Sequence, residues 1–141
     1  MNVRLVYIIR KPEWERQHRL RAIEINGKCA VADELGDLAR LHKDDFDRLM
    51  KVVHLVADSH RVINPRHVKQ GRKHRSIYEM RGGHARLFFF YTPDTDEIVV
   101  CTHTYWKAKP STQEQNEAFE KADRLRKRYV DSESSIGTKE R

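Results

Sequence analysis

Ser76-Ile77-Tyr78-Glu79-Met80-Arg81-Gly82-Gly83-His84-Ala85-Arg86-Leu87-Phe88-Phe89-Phe90-Tyr91 sets two runs of β-branched and aromatic residues around a Gly-Gly pair. That pattern predicts a β-hairpin, because glycine reaches the positive φ angles a tight hairpin turn demands. With Gly82 and Gly83 as the two turn residues, Arg81 stands opposite His84 and Glu79 opposite Arg86. Side chains alternate along a strand, so Ile77, Glu79, Arg81, His84, Arg86 and Phe88 share one sheet face, and Tyr78, Met80, Ala85, Leu87 and Phe89 share the other. The second face is apolar and is expected to be buried. The first carries two arginines, a glutamate and a histidine, which makes it either an exposed sheet surface with a cross-strand ion pair or an anion-binding surface.

The residues on either side of the hairpin favour the anion-binding reading. Lys69-Gln70-Gly71-Arg72-Lys73-His74-Arg75 precedes it, and Lys107 and Lys109 follow the next strand. The chain of 141 residues is long enough for one domain with a proper core. Its net charge of +7 and pI near 9.6 point to a polyanionic partner, nucleic acid or an acidic protein. Cys29 and Cys101 form no metal-type pair and no disulfide framework, so a reducing cytoplasm is the expected location. Arg4 interrupts the apolar run at the N-terminus, which argues against a signal peptide, and no stretch has the length of a membrane span.

Val3 to Ile9 reads as a strand, apolar on both faces and therefore a candidate central one, and Pro12 ends it. Arg19 to Ile25 is a weaker strand before the Asn26-Gly27 turn; the two runs either pair or form an N-terminal extension outside the main sheet. Val31, Leu35 and Leu38, then Phe46, Leu49, Met50, Val53, Val56 and Ala57, recur at helical spacing and predict a helical pair. Asn64-Pro65 opens a loop carrying the basic segment. Glu97 to Thr104 is an apolar, central strand that leaves through Tyr105-Trp106-Lys107-Ala108-Lys109-Pro110. Ser111 with Glu114 is a capping-box pattern opening a helix whose apolar face is Ala118, Phe119, Ala122, Leu125 and Tyr129. Residues 131–141 are polar and aperiodic and read as a disordered tail.

From about Ile25 to Val130 this order of elements resembles the RelE/HigB-type toxins of the RelE/ParE toxin–antitoxin superfamily. Tyr78-Glu79-Met80-Arg81 is similar to the family's L-Y-E-L-R strand, Arg86 with Leu87-Phe88-Phe89 to its R-V-F-F strand, and Val99 to Lys107 to its strand–His–aromatic–Lys exit. The chain departs from the family in having Lys107-Ala108-Lys109 before Pro110 where two adjacent lysines are usual, and in a longer segment before Leu20. The resemblance implies an α+β fold, a small antiparallel β-sheet with an N-terminal helical pair and a C-terminal helix. It makes residues 1–130 a single domain, with 1–19 as an extension. It also implies a type II toxin that acts as a metal-independent, ribosome-dependent mRNA endoribonuclease without cofactor. Its partners would be mRNA, the ribosome and a cognate antitoxin of the DNA-binding helix-turn-helix type, which covers the C-terminal helix or the basic face.

By the same resemblance Lys69, Arg81, Arg86 and Lys107 take the places of the family's basic active-site groups. Metal-free RNA cleavage needs a base for the 2′-hydroxyl, an acid for the departing 5′-oxygen, and positive charge at the crowded phosphate. Arg81 and Arg86 suit the last need, since guanidinium groups bind phosphate oxygens bidentately, with Lys69 and Lys107 as anchors or proton donors. His103, then His84 and Tyr91, are the candidates for proton transfer. Arg72, Lys73, Arg75 and Lys109 are expected to meet phosphates, and Tyr91 and Trp106 to contact RNA, an aromatic beside lysines being able to stack on a base. Two other readings stay open: a ParE-like gyrase-inhibiting toxin, and a non-catalytic nucleic-acid-binding module.

Overall fold

The computed structural model describes residues 2–61, 64–93 and 95–136. Its elements in chain order are β1 (Val3–Tyr7), a 3₁₀ turn (Pro12–Trp14), β2 (Arg19–Ile25), α1 (Ala30–Leu41), α2 (Lys43–Asp58), β3 (Val68–Gln70), β4 (Tyr78–Gly82), β5 (Ala85–Tyr91), β6 (Ile98–Trp106) and α3 (Thr112–Ile136). Six strands form one sheet in the order β1-β2-β6-β5-β4-β3. All neighbours are antiparallel except β2 and β6, which run parallel from Arg19 opposite Ile98 to Ala22 opposite Cys101.

The fold class is mixed α and β, with a C-terminal helix as expected, but the order differs from the expectation. Two strands precede the helical pair, and the sheet is mixed rather than small and antiparallel. Of the two alternatives for the N-terminal runs the pairing holds, β1 lying antiparallel to β2 within the main sheet rather than outside it, and Val3 to Tyr7 is an edge strand rather than a central one. It is apolar on both faces because the fringes of both helical layers reach it: Val3 and Leu5 pack beside the α3 core, Val6 beside the core under α1 and α2. α3 continues to Ile136, past the expected end at Val130; residues 137–141 of the expected tail lie outside the described residues.

Both faces of the sheet are buried. Leu87, Phe89, Met80, Val99 and Cys101 pack with Val31, Leu35 and Leu38 of α1 and Leu49, Val53 and Val56 of α2. Phe88, Phe90, Ile77, Ile98 and Val100 pack with Ala118, Phe119, Ala122 and Tyr129 of α3. The expected charged face is therefore covered along most of its length, and its charges are confined to the end beside the start of α3. That start is capped as the sequence predicts, Ser111 Oγ accepting from the Glu114 N–H at 3.0 Å and Glu114 Oε1 from the Ser111 N–H at 3.0 Å.

The hairpin turns one residue later than expected. Arg81 pairs with Arg86 and Gly82 with Ala85, which leaves Gly83 and His84 in the loop, Gly83 at φ +56°. Gly82 stays in the strand for a steric reason, because a Cβ there would overlap the backbone of Leu49 in α2. The shift changes each pairing by two positions, so every strand residue keeps its predicted face. Glu79 now faces Phe88, and His84 leaves the strand.

Candidate functional site

Cross-strand register brings several of the candidate side chains together at the free end of the α3 face. One row runs Arg81, Arg86, Tyr105 across β4, β5 and β6; the next runs Lys69, Glu79, Phe88, His103 from β3 to β6. Directly opposed like charges destabilise a sheet, and Glu79 answers that repulsion. Its Oε1 lies 3.2 Å from Arg81 Nε and 3.9 Å from Arg86 Nε. Glu79 is only 3 % exposed. Burial raises its pKa, against the charges of Arg81, Arg86 and Lys69, which lower it. Arg86 is in turn held down by burial and by Arg81, against Glu79 and Asp45.

Arg86 is fixed by its backbone bonds as well, Nη1 donating to the carbonyl oxygens of Gly83 at 2.7 Å and Ala85 at 2.9 Å. Arg81 Nε and the Tyr105 hydroxyl oxygen are buried and make no well-directed hydrogen bond to any described residue. Burial raises the Tyr105 pKa, and the nearby Glu114 carboxylate raises it further. Lys107 closes this end, with Nζ 2.6 Å from Glu114 Oε2; that hydrogen bond raises the lysine pKa and holds Glu114 down at about 2. Three cations, Lys69, Arg81 and Arg86, thus share the one carboxylate of Glu79. The cluster has an excess of positive charge that a phosphate oxygen would balance.

The basic loop sits beside this cluster on a firm base. His74 Nδ1 lies 2.7 Å from Asp123 Oδ2 on α3, and Asp123 also holds Arg126 at 2.9 Å. Burial pushes the Asp123 pKa up, but the bonds from His74 and Arg126 with the charges of Arg126 and Lys127 outweigh it, and the net shift is downward. Gln70 Nε2 donates to the Arg75 carbonyl at 2.6 Å. The side chains of Arg72, Lys73 and Arg75 stand exposed and make no ion pair with a described residue, as does Lys109 beyond β6.

Four expected residues stand apart from the arginines. His103 is 3 % exposed and stacks on Phe88 at 4.8 Å. Burial, with Lys121 and Arg124 adding to it, pushes its pKa down to about 3, so the ring is neutral and does not serve as an acid at neutral pH. Tyr91 lies at the far end of β5, roughly 17 Å from Arg86 at the rise of a strand, under the Arg61 guanidinium at 4.0 Å. Burial pushes its hydroxyl up to about 12. Trp106 belongs to the opposite sheet face, where Nε1 donates to Asp45 Oδ2 at 2.7 Å and the ring stacks on His42 at 3.7 Å. His84 joins that second group, edge-on to Trp106 at 6.1 Å.

A bulge explains the exchange of Trp106 for Tyr105. Phe88 faces His103 and Phe89 faces Cys101, so Thr102 is an extra residue in β6. From there on the alternation is reversed, and Tyr105 rather than Trp106 falls in line with the arginines. Glu79 was legible as a member of the arginine face by strand alternation, but its burial was not, because that follows from α3 covering the sheet. No family model matches the chain, and no curated protein matches it.

Proposed function

We propose that the chain is the toxin of a type II toxin–antitoxin system and cleaves mRNA without a metal, on the ribosome, at the Arg81–Arg86 end of the sheet. The observation that supports this most is the pair of guanidinium groups held on one face by a single buried carboxylate, with Lys69, Tyr105 and Lys107 around them. Arg81 and Arg86 would bind the non-bridging oxygens of the scissile phosphate, where charge develops as the 2′-oxygen attacks. An anion that engages both arginines takes from Glu79 the charges that keep it ionised. The buried carboxylate then accepts the 2′-hydroxyl proton, the 2′-oxygen bonds to phosphorus, and the phosphorus–5′-oxygen bond breaks. The departing 5′-oxygen takes its proton from the Lys107 ammonium, leaving a 2′,3′-cyclic phosphate. The loop cations Arg72, Lys73 and Arg75, with Lys109, would track the backbone on either side.

The test is induced expression in bacteria of the wild type and of an Arg81→Ala, Arg86→Ala double variant, with 5′-end mapping of cellular mRNA. Growth arrest with new mRNA ends from the wild type alone supports the reading. Arrest without new ends, accompanied by DNA-damage signalling, would move it to gyrase inhibition. No arrest from a folded protein would leave a binding module. An antitoxin that neutralises the arginine end is the partner this reading requires.

A further inference from the structure

A cavity of about 400 Å³ opens on the other flank of α3, between β2, β6 and the start of α1, a size within the range of small-ligand sites. Its apolar wall includes Ile23, Ile25 and Leu125. Lys28, Lys121 and Arg128 stand around it, and none of the three makes an ion pair with a described residue. α1 begins at the rim, and its N-cap residue, Cys29, makes no side-chain hydrogen bond, so the helix adds its positive end.

His103 gives the cavity its polarity. Assigning the single proton of Thr102 Oγ1 to the Phe88 carbonyl at 3.3 Å makes the hydroxyl the acceptor 3.2 Å from His103 Nδ1, which places the ring proton on Nδ1. Nε2 is then a bare lone pair on a buried wall residue with no partner among the described residues. Asp33, which makes no ion pair with a described residue, offers a second acceptor on the rim. A ligand that satisfies this lining has N–H or O–H donors, a flat or apolar body and an anionic end. Inorganic phosphate lacks the body, and a fatty acid lacks the donors.

We propose that this cavity is a nucleotide site, taking a nucleoside monophosphate with its base against the Ile23–Leu125 wall, a base N–H on His103 Nε2, ribose hydroxyls toward Asp33 and the phosphate among Lys28, Lys121 and Arg128. The same chemistry has two sources, a free mononucleotide or the 5′-phosphorylated end of an RNA strand. The lining includes none of Lys69, Glu79, Arg81, Arg86, Tyr105 or Lys107, and only His103, one strand beyond Phe88, also lies in the Glu79 row, so the proposal does not depend on the cleavage reading.

Calorimetric titration of the full chain with AMP, GMP, CMP and UMP, with inorganic phosphate and with a short 5′-phosphorylated oligoribonucleotide tests it. Lys121→Ala with Arg128→Ala alters two exposed side chains and should leave the fold intact by circular dichroism. It is expected to weaken binding of at least one mononucleotide about tenfold or more, whereas Arg81→Ala with Arg86→Ala leaves that binding unchanged. Binding of the phosphorylated oligonucleotide alone, lost in the Lys121→Ala, Arg128→Ala variant, assigns the site to a strand end. Nucleotide binding that the lysine–arginine variant does not change, inorganic phosphate binding as tightly as the mononucleotides, or no binding to the folded chain overturns the proposal.

Discussion

Ionised Glu79 has lost nearly all of its water, and what keeps it charged is the proximity of Arg81, Arg86 and Lys69. Burial outweighs them, so the folded protein binds more protons than the unfolded chain above the ordinary glutamate value of about 4.3. The stability this group contributes is present below that value and is lost as pH rises through the raised folded pKa. Urea melts of the wild type and Glu79→Gln between about pH 4 and 8 should show the wild type's advantage shrinking with pH. A difference that grows with pH would contradict the assignment. Gly82→Ala acts through packing instead, since the new Cβ meets the backbone of Leu49. It should cost about 1–3 kcal/mol at the upper end of that range, as overpacking against an element that cannot rotate away, measured by the same melts. The face of each hairpin residue was legible, because alternation survives the two-position change of pairing. Which glycine turns the chain was not, because that choice depends on how close α2 comes.

At the scale of elements, the basic loop is tied to α3 by the His74–Asp123 contact, beside the close approach of Gly71 to Phe119. Asp123 carries His74 and Arg126, and its pKa is lowered. Its contribution is therefore present above the ordinary aspartate value of about 3.9 and is lost as pH falls through the folded value. Asp123→Asn should destabilise the protein by about 1.5–3 kcal/mol at neutral pH and by progressively less in acid. Amide exchange should rise in residues 71–76 before it rises in β5 if the contact pins the loop. Equal effects throughout would show that the loop is held by other means. The helices α1 and α2, the cap of α3 and the central place of β6 were all readable from periodicity and the Ser111–Glu114 pair. The three-residue β3 was not, since Val68-Lys69-Gln70 has no pattern of its own and is a strand only because β4 lies beside it. The bulge at Thr102 was equally hidden, and it decides that Tyr105, not Trp106, joins the arginines.

The whole molecule is a mixed sheet covered on both faces, with a net charge of +7 and with exposed, unpaired cations Arg72, Lys73 and Arg75 on the loop among the described residues. The parallel pairing of β2 with β6 joins residues far apart in the chain, and nothing local in Arg19 to Ile25 announces it. That pairing draws the N-terminal strands into the sheet, and Ile23 and Ile25 beyond it line the cavity. If the exposed loop cations meet RNA phosphates, log affinity for single-stranded RNA should fall linearly with log salt. Replacing Arg72, Lys73 and Arg75 with alanine should then reduce the slope by roughly 2. An unchanged slope would place the RNA elsewhere.

We propose that the Arg81–Glu79–Arg86 cluster, with Lys107 as the acid, cleaves RNA without a metal, and the ends of the products test this most directly. Purified protein is incubated with ribosome-bound mRNA whose ribosomes are kept intact, and the 3′ ends of the fragments are identified. The wild type is expected to leave 2′,3′-cyclic phosphate ends, and Arg81→Ala with Arg86→Ala to lose cleavage by about 100-fold or more. Wild-type cleavage that leaves 3′-hydroxyl ends, or undiminished cleavage by the double variant, would contradict it.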